Sequence, residues 1–214
     1  MQHAETRARS YGGKSAEQRR AERRDALIAA ASELWREQGW AAVTMRGVCA
    51  RARLTDRYFY ENFADRDALL GEVWDATRDE HLTMLYAAIE PHLADTALAQ
   101  LHAAVEAVVR RIADDPGGAQ ILFGDHAGSA TLERRRRETI QTAVDIFLAL
   151  SRPYLKVDAD ETQLRISIVV GIGGFVETIL AWRSGTLDIT VDQLIASLDV
   201  VGRSLAREFL DLDV

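Results

Sequence analysis

Residues 44–70 read T-M-R-G-V-C-A-R-A-R-L-T-D-R-Y-F-Y-E-N-F-A-D-R-D-A-L-L and hold three helix-opening signals in a row, at Thr44, Thr55 and Asp65. A threonine hydroxyl or aspartate carboxylate just before a helix accepts a hydrogen bond from a first-turn N–H that would otherwise lack a partner. After Thr44, Val48 and Cys49, joined by Met45, take the inward positions of a short helix. Ala52, Arg53 and Leu54 make a tight connection to Thr55, which opens D-R-Y-F-Y-E-N-F. There Phe59 and Phe63 stand one helical turn apart and point to the same side, as anchors to a core. Asp65 opens a further helix whose Leu69, Leu70, Val73 and Trp74 keep helical spacing. Two short helices joined by a turn predict a helix-turn-helix.

The second of these helices is polar at its N-terminus, as entry into a major groove demands. Arg57 can donate two bonds to guanine, Asp56 can accept from cytosine, and Tyr58 offers a hydroxyl and a ring to base edges. Thr44, Tyr60, Asn62 and Arg66 lie at helix starts or flanks, where side chains and helix N-terminal N–H groups hold phosphates. Arg46 and Thr55 complete the expected DNA-facing set.

Working outward, Ser15 with Gln18 forms a capping box, and Leu27, Ala31, Leu34 and Trp35 follow on one helical face. Gly39 stops that helix, and Trp40, Ala42 and Val43 are placed to fold back on it. Arg19, Arg20, Arg23 and Arg24 read as its solvated side. Beyond residue 80 every segment reads as helix, near 96–113, 117–127, 130–151, 160–184 and 190–211, with Thr190 capping the last. Glycine and proline make only 17 of 214 residues, so the expected class is all-α.

Charge is unevenly spread along a chain of net charge −7. Residues 1–66 hold 13 Lys and Arg against 9 Asp and Glu; the rest hold 13 against 24. A basic head on an acidic body suits a module that docks on phosphates while the body avoids them. The single cysteine, Cys49, excludes an internal disulfide framework and a cysteine metal cluster, and points to a reducing cytoplasm. The first residues lack the apolar core of a signal peptide, and the apolar run 166–176 stops at Glu177, so no membrane span is expected. The five histidines, His3, His81, His92, His102 and His126, are dispersed, and neither a metal site nor a cofactor is expected.

Residues 24–70 resemble the DNA-binding domain of the TetR family of bacterial transcriptional regulators. L-I-A-A-A-S-E-L-W-R-E-Q-G-W is similar to the family's first helix and its glycine-aromatic exit, T-M-R-G-V-C-A-R-A to the second helix, and T-D-R-Y-F-Y-E-N-F, with Tyr60 and Phe63 in Tyr-x-x-Phe spacing, to the third. A-D-R-D-A-L-L opens the fourth, while Arg53 stands where the family commonly has a turn glycine. The resemblance implies a basic arm over 1–14, a three-helix DNA-binding domain over 15–66, and a larger helical effector-binding and dimerisation domain over 67–214. It also implies a homodimeric, ligand-responsive repressor, not an enzyme, whose partners are double-stranded operator DNA, a second copy of itself and a small-molecule effector.

Candidate residues follow for the body. Trp74, Phe123, His126, Phe147 and Phe175 could line an effector cavity or be ordinary aromatic core. Val191, Leu194, Leu198, Val201 and Leu205 recur at spacings of three and four along the last helix, and with Gly174 form the expected dimer seam. Core packing within one subunit would give the same pattern. Gly171, Gly173 and Gly174 read as close helix packing, and the run from Glu133 to Glu138, with four arginines between, as solvated surface. The competing reading is a cytoplasmic helical enzyme with Asp125 and His126 as an acid-base pair.

Overall fold

A computed structural model describes residues 15–211; the expected arm over 1–14 and His3 lie outside the described residues. Among these every regular element is a helix, apart from one isolated antiparallel bridge between Leu155 and Leu210.

Helix α1 spans Ala16–Gln38 and starts on the Ser15/Gln18 capping box. Gly39 ends it at φ 82°, a conformation glycine adopts without steric cost, and the turn Trp40–Ala42 brings Val43 into the core. Helix α2, Met45–Ala52, is capped by the Thr44 hydroxyl on the Gly47 N–H. Arg53 then adopts the left-handed conformation at φ 54° and ψ 39°, which costs a side-chain-bearing residue roughly 1–2 kcal/mol. The turn geometry is therefore kept without the glycine. Helix α3 is short, Asp56–Tyr60, and helix α4, Arg66–Ile89, is capped by Asp65 on the Ala68 N–H.

In the body, α5 (Ala97–Asp114), α6 (Pro116–Phe123), α7 (Ala130–Ser151), α8 (Glu161–Arg183) and α9 (Val191–Ala206) follow. Two ends differ from expectation. Helix α6 stops at Phe123 rather than at residue 127, and α9 ends at Ala206 rather than at 211, where the chain turns so that Leu210 can pair with Leu155.

Three apolar clusters hold the molecule. The first joins α1 to α4 around Leu27, Trp35, Phe59, Phe63 and Trp74, and takes in Ile121 of α6 and Leu132 of α7. The second packs Val109 and Ile112 of α5 against Ile179 of α8 and Leu194 of α9. The third closes the far end with Val144, Leu148, Leu164, Phe209 and Leu210.

The dimer stripe expected on α9 is corrected by this packing. Leu194 is wholly buried, and Val191 and Leu198 pack against the same cluster, so these three hold their own subunit together. Val201 of that stripe does face outward, together with Val200 and with Ile166, Val169 and Val170 of α8. Of the three glycines on α8, only Gly171 is closely approached, by Leu205; a side chain at Gly173 or Gly174 would meet open space.

Helix α8 is apolar over more of its length than the run 166–176. Its most apolar 18-residue window has mean hydropathy 1.8, so by length and composition it could cross a membrane, because the apolar pattern resumes beyond Glu177. Only 11% of that window is buried in the subunit. An apolar surface of that extent on one helix marks an interaction face.

Candidate nucleic-acid interface and body cavity

The helix-turn-helix presents Thr44, Arg46, Arg53, Thr55, Asp56, Arg57 and Tyr60 to solvent, while Phe59 and Phe63 are buried beneath. Phe59 meets Phe63 at 5.8 Å between ring centres and Tyr60 edge-on at 5.5 Å. Thr55 occupies the N-cap position of α3 without donating or accepting a cap bond through its side chain, so its hydroxyl stays open. Arg57 reaches out at 83% side-chain exposure and rests against Glu61, Nε to Oε1, at 2.9 Å. Such an exposed pair holds by at most about 1 kcal/mol and leaves the guanidinium ready to exchange partners. Arg46 and Arg53 make no ion pair among the described residues.

Not every expected contact residue faces outward. Tyr58 is half-buried under the Arg23 guanidinium, 4.5 Å from the ring centre. Asn62 turns inward, its Nδ2 donating to the Tyr58 carbonyl at 2.7 Å, while its buried Oδ1 finds no partner. Arg66 donates from Nη2 to the Trp40 carbonyl at 2.5 Å and from Nε to the Val43 carbonyl, with its guanidinium 5.2 Å from the Trp40 ring centre. The expectation that Asn62 and Arg66 hold phosphates is thus replaced by internal roles: one closes α3, the other ties the start of α4 to the turn before α2.

The arginines of α1 are also more than a solvated side. Arg20 donates to the Glu61 carbonyl at 2.6 Å, and Arg24 pairs with Glu72 at 2.8 Å. With Arg23 on Tyr58 they brace α3 and α4. Arg53 was missed as a surface cation of the turn; its sequence signal was the substitution of arginine at a glycine position.

The body holds a half-open cavity of about 520 Å³. Trp74, Phe123, Phe147 and Phe175 line it, and Phe123 meets Phe175 edge-on at 6.4 Å. Gly174, Leu198, Val201 and Leu205, expected at the seam, are also in its wall.

His126 is corrected. It does not line the cavity but lies buried between Trp35 of α1 and Trp74 of α4, edge-on to them at 5.9 Å and 4.9 Å. The reason is the early end of α6 at Phe123, which puts His126 in a turn. Neither ring nitrogen has a hydrogen-bond partner, and the Asp125 carboxylate accepts from the Ala127 N–H instead. The two side chains are not hydrogen-bonded to one another. Among the described residues no cluster of His, Cys, Asp or Glu is placed to hold a metal ion.

Burial holds the His126 imidazole below its ordinary pKa, with the nearby Ile121 carbonyl opposing and the Arg136 cation adding to the effect. The unfolded chain takes up this proton near pH ~6.5, whereas the folded one resists it. The contribution of His126 to stability is therefore complete above that pH and declines as pH falls below it. Urea midpoints should drop on acidification from about pH 7 to 5, and the drop should be shallower in His126→Gln; identical slopes would mean that other groups carry the acid sensitivity.

Residues 27–73 match the family model for bacterial regulatory proteins, tetR family. A TetR-like transcriptional regulator from Rhodococcus sp. RHA1 superposes with a TM-score of 0.66 at 16% identity, over 87% of this chain and 97% of that one. The fatty acid degradation regulator FadR from Bacillus halodurans gives 0.65 at 15% identity, covering 86% and 94%. FadR from Bacillus subtilis, solved in complex with stearoyl-CoA, gives 0.64 at 17% identity, covering 83% and 96%. At these identities the likeness is one of fold. No curated protein matches the chain.

Proposed function

We propose that this chain, whose residues 27–73 match the family model for bacterial regulatory proteins of the tetR family, is a cytoplasmic transcriptional repressor that binds a pseudo-palindromic operator as a homodimer and is released by a small apolar ligand. The observation that carries the reading is the exposed row of Thr44, Arg46, Thr55, Asp56, Arg57 and Tyr60 above two buried phenylalanines. Arg57 and Asp56 read base edges, and Tyr58 joins them only if Arg23 releases its ring. Thr44, Arg46, Thr55 and Tyr60 hold phosphates and set the register.

Two-fold pairing through the outer faces of α8 and α9 covers Ile166, Val169, Val170, Val200 and Val201, which one subunit leaves in water. Symmetry then sets two α3 helices roughly 34 to 36 Å apart, one turn of B-DNA. Ligand in the cavity presses on Trp74, which belongs to α4, and α4 is tied to the head through Arg66. A ligand shifts that spacing only by its difference in affinity for the two shapes.

The test is a gel shift on the DNA flanking the protein's own gene, with and without candidate ligands. Arg57→Ala is expected to cost about 1–3 kcal/mol at one base position and to relax specificity there, whereas Arg46→Ala weakens all sequences alike and lowers the salt slope by about 1. Equal losses on every sequence with Arg57→Ala would remove Arg57 from the base readers.

A further inference from the structure

The cavity wall is apolar nearly throughout, and Arg136 of α7 is the one charged residue among those that line it. The two arginines before it in the run are matched, Arg134 lying 3.8 Å from Glu138 and Arg135 pairing with Asp75 at 2.8 Å and with Glu138 at 3.3 Å, while Arg137 is exposed to solvent. Arg136 is half-buried and has no carboxylate partner among the described residues. A guanidinium in an apolar wall without a counter-charge is the one group there able to form a charge-assisted pair, and an anion delivered by a ligand supplies its partner.

Of the other polar side chains of the wall, all but Ser167 are engaged within the subunit. Thr139, Ser151 and Thr178 each donate their hydroxyl proton to a carbonyl one turn back on their own helix, at 2.9, 2.7 and 2.7 Å. Gln100 is engaged with the Tyr154 hydroxyl at 2.8 Å. From Arg136 the cavity runs past Phe147 and Leu150 to Leu164, Ala206 and Leu210 at the far end of the body, a path walled by hydrocarbon. Guanidinium presents a planar fork of donors that fits a carboxylate with two parallel bonds.

We propose that the cavity selects an amphipathic anion: a carboxylate held by Arg136 at the end next to α4, with an unbranched or aryl hydrocarbon tail extending toward Leu210. This rests on the reading of the cavity as the effector site and adds the charge of the effector and the residue that recognises it. The headgroup then lies beside Trp74, whose indole N–H donates to Thr139 one turn from Arg136, so the charged end of the ligand acts on the helix that leads to the head.

Decanoate and decanol, each titrated against the intrinsic tryptophan fluorescence of the full-length protein below their aggregation limits, form the test. Decanoate should bind tighter than decanol by about tenfold or more, as a charge-assisted pair requires. Arg136→Met should bring decanoate down to the level of decanol and leave decanol unchanged, which also reports an intact cavity in the variant. Arg137→Gln, an exposed neighbour outside the wall, should change neither. Decanoate binding no tighter than decanol, or equal loss of both ligands in Arg136→Met, overturns the anion anchor while the apolar effector site stands. Failure of both compounds to bind overturns the effector-site reading, and the anchor with it.

Discussion

Phe59→Ala should lower unfolding stability by about 3–5 kcal/mol, the range for truncating a fully buried large aromatic residue. The effect is this large because α3 has five residues, and an isolated helix of fewer than roughly 12 residues does not hold itself together in water. What keeps it formed is Phe59, 1% exposed, with Phe63 stacked near it at 4%. Truncation opens a void between α1 and α4 and frees the helix that carries Asp56 and Arg57. Urea denaturation followed by circular dichroism measures the first consequence, and operator binding at a temperature where the variant is still folded measures the second. A loss below about 1 kcal/mol, as for an ordinary surface substitution, would show that the helix is anchored elsewhere.

The second large effect concerns assembly. Val200→Asp should convert a dimer into a monomer and weaken operator binding by about 10² to 10⁴, the advantage that joining two weak contacts confers. Val200 is 65% exposed in the single subunit and takes no part in the cavity wall. The substitution should therefore leave the monomer's own stability within about 0.5 kcal/mol, while a carboxylate pressed into an apolar seam must be desolvated. Sedimentation equilibrium reads the mass and a gel shift reads the affinity. A Val200→Asp protein that stays dimeric places the seam on a different face.

The head was legible because its signals are local. Thr44, Asp65 and the Ser15/Gln18 pair each act on an N–H within three residues, and Phe59 and Phe63 declare their side by spacing alone. What sequence concealed is every contact with a distant partner. Arg66 looks like a phosphate ligand until its N–H groups donate to carbonyls 23 and 26 residues away. In α9 the apolar period was visible, yet period cannot say whether Leu194 meets its own α5 or another chain. Four consecutive arginines likewise look alike in sequence, and only the register of α7 against α4 sends Arg135 to Asp75 and Arg136 into the cavity. His126 belonged to a helical pattern that Gly124 interrupts: a side chain there would collide with the Gln120 carbonyl.

The apolar cluster beneath the helix-turn-helix reaches across to Ile121 and Leu132, so the reading head is not a bead on a tether. A chimaera that exchanges the first 66 residues between two regulators of this shape inherits one half of a keel from each parent. Grafts meant to retarget such a protein to a new promoter should therefore carry the α6 and α7 side of that keel along with the donor head, or confine the exchange to the outward residues of α2 and α3.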